Sequence, residues 1–550
     1  MDWSPEQSFL LPPSPLEWLP EGHLAYFVLD VVKGLKLESV EAEIQAKDAR
    51  GNRPFSPRML VAVLVYGLCV GVRSSRKLEQ ATHVDVPFRV LAGGAHPDHT
   101  VISEFRRLHL KFLEGLFLEV LRLCQLAKIV KLGHVALDGT KVMANASKHK
   151  AMSHQRMLKS EEELRAEVKK MLEEAEQADR EEDELYGKDK RGDELPAELL
   201  RRETRLKAIQ QAREALEAEA AQSRAKELAE RAKRASEKAA QAEEAEREKA
   251  ERAAEEAKGK ADEAAKKAKA KAEERLAHAK QRAAAAALSA DTRAQQCAAR
   301  AAEREVEAAQ RHLAKVTQEA PAEGKAAEEQ LPEHQVAADA KGDPTPTAQR
   351  NFTDPDSRIM KAGGDYLQGY TAQAAVSEGN QVIVAQAVTN QPPDVEHLPA
   401  MVSQVEKNCG QLPDILTADA GYWSEENSNF CSAKGVDAYI AVKRQKHGQD
   451  ETAQTTQPAQ TSESKAREQM RQKLTTEKGR KAYARRKAVV EPVFGQIKDA
   501  RGIRRFLLRG LDKVRGEWAL ICATHNLLKL WRALAGLERQ ERLALLGLAG

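Results

Sequence analysis

No two of the six cysteines (Cys69, Cys124, Cys297, Cys409, Cys431, Cys522) stand at CxxC spacing in this 550-residue chain. That argues against a zinc ribbon or a disulfide framework and suits a reducing compartment. Long apolar runs are also missing. The longest, MLVAVLVYGLCVGV at 59–72, is short of the roughly 20 residues that a membrane-spanning helix needs. The start, MDWSPEQSFLLPPSPLEWLPEG, has acids and prolines where a secretion signal has a basic start and an apolar stretch. A soluble cytoplasmic protein is expected, with no membrane partner. Aromatics are absent between Gly187 and Asn351, and prolines between Pro196 and Pro321. Ala, Glu, Lys, Arg and Gln dominate there, which favours helix but gives it little to bury.

The length allows about three domains. The net charge of +3 averages unequal regions: Lys478 to Arg515 holds 13 Lys/Arg against three acids, Glu491, Asp499 and Asp512. Such a patch fits a phosphate backbone, whose condensed counterions it releases. The plainer reading is a solubilising surface.

Residues 1–130 read as an all-α domain, with apolar positions at helical spacing in 24–35, 57–70 and 112–126. Within it, SSRKLEQATHVDVPFRVLAGGAHPDHTVISEFRRLH reads as two short helices parted by GGAHPD. The second opens at Asp98 or Thr100 and ends on Arg106 and Arg107. A basic second helix is similar to a helix-turn-helix DNA reader, though any small helical domain has such pairs. KLGHVALDGTKV, in 131–154, reads as a buried strand ending at an Asp138-Gly139 turn. Residues 155–345 read as a long helical or partly disordered insertion after that strand, with Gly259 as a candidate hairpin turn. Its heptads are too poor for a lasting coiled coil.

The globular pattern returns over 346–535. DYLQGYTAQAAVS and QVIVAQAVTN predict an antiparallel hairpin, followed by a helix in PPDVEHLPAMVSQVEKN. A strand in DILTADAGYW, a helix opened by Ser424 and a strand in VDAYIAVK come next. Residues 445–464 suggest a disordered loop, 516–534 an apolar closing helix and 536–550 a tail.

Setting both insertions aside, the alternation of elements predicts a mixed sheet flanked by helices. Asp138 then stands at the end of the first strand, Asp419 at the end of the fourth and Glu491 on the helix after the last. If the first and fourth strands are neighbours, the two aspartates share one rim. Carboxylates so close need a cation to stay ionised. Hard oxygen donors without a His or Cys cluster suit Mg²⁺ or Mn²⁺, and two such ions can clamp an in-line phosphoryl displacement. Taken singly, each acid has a bland reading: a turn former, or for Glu491 a salt-bridge partner of Lys487.

Taken in order, ALDGTKVMANASKHK, TDPDSRIM, YLQGYTAQAAV, VTNQPPDVEHLPAM, LTADAGYWSEEN and VVEPVFGQIKDARGIRRFLLRG resemble a bacterial insertion-sequence transposase of the DDE class. SPRMLVAVLVYGLCVGVRSSRKLE and DHTVISEFRR resemble its InsH-type N-terminal domain. The resemblance implies a ribonuclease-H-like α/β core and a Mg²⁺-dependent triad of Asp138, Asp419 and Glu491. Its DNA partners would be terminal inverted repeats and target DNA, with self-association on DNA. Lys498, seven residues after Glu491, matches the family's basic position, and Tyr483 and Arg486 resemble the Tyr and Arg that precede the acid. The common spacing to the acid selects Lys487 instead, so both basic residues remain candidates. Lys141, Arg501, Arg504 and Arg505 complete the DNA-contact candidates, and Asp394 and His397 are candidates for a supporting role. A helix starting at Pro492, or a kink there, is expected, since proline removes a hydrogen bond from a helix interior. The rival readings are a nuclease of the same fold without strand transfer and a non-catalytic DNA-binding relic.

Overall fold

The computed structural model describes residues 17–45, 54–167, 170, 197–241, 331–362, 364–442 and 465–548. The loop expected at 445–464 and the turn at Gly259 lie outside them. The chain divides into two units, one of residues 1–146, 326–333 and 359–550, the other of 147–325 and 334–358.

In the first unit, seven helices precede the sheet: α1 (Leu24–Lys33), α2 (Glu38–Gln45), α3 (Pro57–Val70), α4 (Ser75–Val84), α5 (Val86–Ala92), α6 (His99–Leu108) and α7 (Leu110–Leu126). The chain's longest apolar run forms α3, whose residues from Leu60 to Cys69 are buried. Among the described residues no single helix is long and apolar enough to cross a membrane. Where two helices were expected between 74 and 109 there are three. Pro87 has no amide to donate to the His83 carbonyl, so the chain breaks at Asp85, which is extended at φ −106°, and restarts with Pro87 in the first turn of α5. Asp98 is the N-cap of α6, its Oδ1 accepting from the amides of Thr100 at 2.7 Å and Val101 at 3.1 Å.

The strands, in chain order, are β1 (His134–Met143), β2 (Ala151–Ser153), β3 (Gln349–Asn351), β4 (Arg358–Ala362), β5 (Asp365–Ser377), β6 (Ile383–Thr389), β7 (Ile415–Ala418) and β8 (Asp437–Ile440). The main sheet has the order β4-β5-β1-β7-β8, with β6 also on β5. β1 pairs antiparallel with β5 and parallel with β7, and β7 pairs parallel with β8. This is the mixed, helix-flanked sheet of a ribonuclease-H-like core, and the expected hairpin is β5 and β6. The first strand, however, does not turn at Asp138-Gly139. Its antiparallel ladder with β5 continues to Met143↔Gly369, while the parallel ladder with β7 stops at Leu137↔Ala418. Asp138 is therefore held in mid-strand at the place where its parallel neighbour leaves off.

After α8 (Ala197–Gln241), the later helices are α9 (Leu398–Cys409), α10 (Glu425–Ala433), α11 (Lys465–Thr475), α12 (Glu477–Gly495), α13 (Leu511–Ala533) and α14 (Arg539–Leu545). No new helix begins at Pro492: α12 is continuous to Gly495, then loosens into a π-turn over Gln496–Ala500. Proline cannot donate to the carbonyl four residues back. Gln381 Nε2 donates to that carbonyl, on Ala488, at 3.0 Å. Part of the expected tail is helical in α14, where Glu538 and Glu541 form a capping box.

The second unit has its own small apolar cluster of Met157, Leu164, Ile209, Leu216, Ala220 and Val336. Beside it the buried Glu161 accepts from Arg213 Nε at 2.7 Å. The insertion thus has more to bury than its composition suggested.

The closing helix starts at Leu511, ahead of the expected 516, and carries buried polar groups among its apolar ones. Asn526, fully buried, accepts from the Ile383 amide at 2.8 Å and donates to the Ile383 carbonyl at 2.8 Å. Asn526→Ala leaves both buried backbone groups without partners. We expect it to destabilise the fold by about 2–4 kcal/mol, measured by denaturant unfolding.

Candidate active site

Two of the three acids singled out in the sequence meet a single cation, and the third feels its charge. Asp138 and Asp419 follow Leu137 and Ala418, a directly paired couple in the β1–β7 ladder, so the two aspartates stand side by side on one rim. Asp138 Oδ1 accepts from the Gly139 amide at 2.8 Å. Asp419 caps the turn Ala420–Tyr422, its Oδ1 accepting from the Gly421 amide at 2.8 Å. Each carboxylate is thereby fixed by the backbone next to it.

Arg486 comes from α12. Its side chain is only 9% exposed; Nη1 donates to Asp138 Oδ2 at 2.9 Å and Nη2 lies 3.9 Å from Glu491 Oε1. Its guanidinium also faces the Tyr483 ring, 5.8 Å from the centroid. Lys487 is exposed. Of the two basic candidates, Arg486 is the one at the carboxylates. Glu491 is 54% exposed and faces the other terminal nitrogen of the guanidinium from Asp138.

Burial pushes the Asp138 carboxyl up; Arg486 opposes this, Asp419 adds to it, and the result is about 6. Burial lowers the Lys141 ammonium. For Asp394, burial acts upward, but the hydrogen bond from His397 and the charge of Lys141 outweigh it and hold the carboxyl below its usual range.

The other candidates divide between rim, interior and surface. Lys498 Nζ donates to Thr140 Oγ1 and, at 2.7 Å, to the Lys141 carbonyl, so the π-turn pins it to β1. Lys141 Nζ donates to Thr371 Oγ1 and the Pro392 carbonyl, each at 2.8 Å. Arg501 requires a correction: it is 6% exposed and donates to Thr524 Oγ1 at 2.9 Å, so it cannot reach a phosphate in this fold. Arg106 turns inward too, donating to the Arg73 carbonyl at 3.3 Å. Arg107, Arg504 and Arg505 remain exposed. His134 and His525 are buried, bonded to Thr417 Oγ1 and the Gln381 carbonyl.

Gln373 was missed in the sequence. It lies opposite Gly139 in the β1–β5 ladder; its Oε1 accepts from the buried Tyr422 hydroxyl and its Nε2 donates to Asp394 Oδ1 at 2.7 Å. The available signal was one amide side chain in the otherwise small and apolar run AQAAV.

Residues 331–527 match the family described as Transposase DDE domain, and residues 14–108 match the Transposase domain (DUF772). The chain therefore carries a DDE transposase domain together with the N-terminal domain of InsH-type transposases, and the class of chemistry that this domain implies is polynucleotidyl transfer on DNA. No curated protein and no solved structure matches it. Asp138 lies outside the matched segment, and the β1–β7 pairing is what returns it to Asp419.

Catalytic domains of this family use a divalent metal. Asp138 and Asp419 fit one by donor chemistry: hard oxygens, mutual repulsion and a raised carboxyl that a cation would draw back down. Among the described residues no group of three or more His, Cys, Asp or Glu is arranged to hold a metal. The positive charge between Asp138 and Glu491 is supplied by Arg486.

A carboxyl raised in the fold stabilises it while protonated, and that contribution is lost as the pH climbs from about 4 through about 6. Without metal, Asp138→Asn should match wild type in stability near pH 4 and exceed it by about 2–3 kcal/mol at pH 7.5. Urea unfolding of both proteins at the two pH values checks this.

Proposed function

We propose that the protein binds the terminal inverted repeats of an insertion sequence, cuts the DNA there and joins the freed 3′-hydroxyl to target DNA. The observation that carries this reading is the adjacency of Asp138 and Asp419 across the β1–β7 pair, with Arg486 and Glu491 brought over them by α12.

Asp138, Asp419 and Glu491 would hold Mg²⁺ or Mn²⁺, most simply as two ions, which supply Lewis-acid polarisation of a phosphoryl oxygen and a stronger nucleophile. The protein's own groups do the rest. The β-ladder and the Asp419 turn hold two carboxylates in place before DNA arrives, so little ordering is needed at the moment of reaction. Arg486 is a planar donor that can hold a carboxylate and a phosphate oxygen at once. Arg504 and Arg505, with Lys487, give the segment an exposed positive face for the DNA backbone. Arg107, on α6, adds a basic position in the N-terminal domain. Self-association on DNA would bring two ends together.

The test incubates the full chain with a labelled duplex bearing the element's own terminal repeat, Mg²⁺ and a target plasmid. Asp138→Ala, Asp419→Ala and Glu491→Ala should each lose cleavage and joining by roughly a thousandfold or more while still binding DNA. Arg486→Ala should lose about a hundredfold, and Lys487→Ala far less. Cleavage without joined product in wild type would leave a nuclease. Binding without metal-dependent chemistry would leave a DNA-binding relic.

A further inference from the structure

A third aspartate reaches the same rim from the other side of the sheet. Asp394, between β6 and α9, accepts from Gln373 Nε2 at 2.7 Å, and its Oδ1 lies 3.6 Å from His397 Nδ1 and 3.7 Å from Lys141 Nζ. Gln373 is locked in turn by the Tyr422 hydroxyl, which donates to its Oε1. Asn427 fastens the Asp394 loop to the Asp419 turn, donating to the Val395 carbonyl at 2.6 Å and the Tyr422 carbonyl at 2.7 Å. Two glycines make room for this group. A Cβ on Gly139 would lie 2.6 Å from Gln373 Nε2 and 3.0 Å from Asp394 Oδ1; one on Gly421 would lie 3.5 Å from Asp394 Oδ2.

Lys141 is the cation on this side. Two of its anchors, Thr371 Oγ1 and the Pro392 carbonyl, are neutral. Asp394 is the one carboxylate within 4.0 Å of its Nζ among the described residues. Alternation along β1 puts Lys141 on the face away from Asp138. The β7 ladder ends at Leu137, so from Asp138 onward that edge of β1 carries no paired strand to bar an ammonium on a flexible four-carbon stem. Lys141 also feels the charges of Asp419 and Asp138.

We propose that Asp394 is a positioning residue that acts through Lys141: it keeps the ammonium on its own side of Gly139, so that the place beside Asp138 and Asp419 stays open to a divalent cation. With Asp394 neutralised, the carboxylates left acting on Lys141 are the two aspartates, of which Arg486 pairs with Asp138 alone, and the lysine becomes a tethered competitor of the metal. This inference rests on the reading of Asp138 and Asp419 as the metal-holding pair.

The experiment titrates Mn²⁺ into the full chain without DNA, follows binding by water-proton relaxation, and checks each variant's fold by thermal unfolding. Asp138→Asn is expected to abolish the site. Asp394→Asn should weaken it by about tenfold or more, the scale on which a charge at this range acts. The double variant Asp394→Asn with Lys141→Met should return it to the wild-type range, which lost packing alone would not do. Unchanged binding in Asp394→Asn, or a double variant as weak as the single one, overturns the proposal. If Asp394→Asn does not fold, Lys141→Met alone decides: it should bind Mn²⁺ at least as tightly as wild type, and weaker binding overturns the proposal. If wild type binds no Mn²⁺, or Asp138→Asn binds it equally well, the aspartate-pair reading itself falls.

Discussion

The short parallel ladder between β1 and β7 is the contact on which the site depends. Only four residue pairs join the strands, His134↔Ile415 to Leu137↔Ala418. The next residue on each side is an aspartate. Two carboxylates from distant parts of the sequence are thereby set beside each other in partly buried surroundings, where like charges repel strongly. Much of the neighbourhood answers that repulsion. Arg486 neutralises one face, backbone amides of Gly139 and Gly421 bind the carboxylate oxygens, and Lys141 with Asp394 forms a charge pair on the other side.

That arrangement links the insertion's tolerance to chemistry. The first unit's chain leaves at Ala146, three residues past the end of β1, and returns for good at Ile359, at the sheet's outer strand β4. The β1–β5 and β1–β7 ladders form entirely from residues outside the excursion. A long insertion at this position therefore need not disturb the rim.

Much of this was legible in the sequence, and the failures have identifiable causes. Helical spacing located α1, α3 and α7, Ser424 opened α10 as expected, and the alternating runs gave the β5–β6 hairpin. Asp419 stood before a turn as the ADAGY pattern suggested. Asp138 was misplaced at a strand end because Asp-Gly is a strong turn signal, and only pairing with β5 keeps those residues extended. A new helix starting at Pro492 was one expectation because local rules know nothing of Gln381, which takes up the freed Ala488 carbonyl from another part of the chain. Spacing could not separate Arg486 from Lys487, whereas the fold puts the Arg486 guanidinium on Asp138 and leaves Lys487 exposed. Arg501 looked like its basic neighbours in sequence yet points into the core, since inward or outward direction in an irregular segment has no periodicity to read.

The measurement that bears most directly on the paired aspartates is the anomalous scattering of Mn²⁺ in crystals of the full chain with a DNA end. The account predicts a peak within coordination distance of both Asp138 and Asp419, with Arg486 drawn off Asp138. A peak at other carboxylates, with the Arg486–Asp138 contact intact, would contradict it.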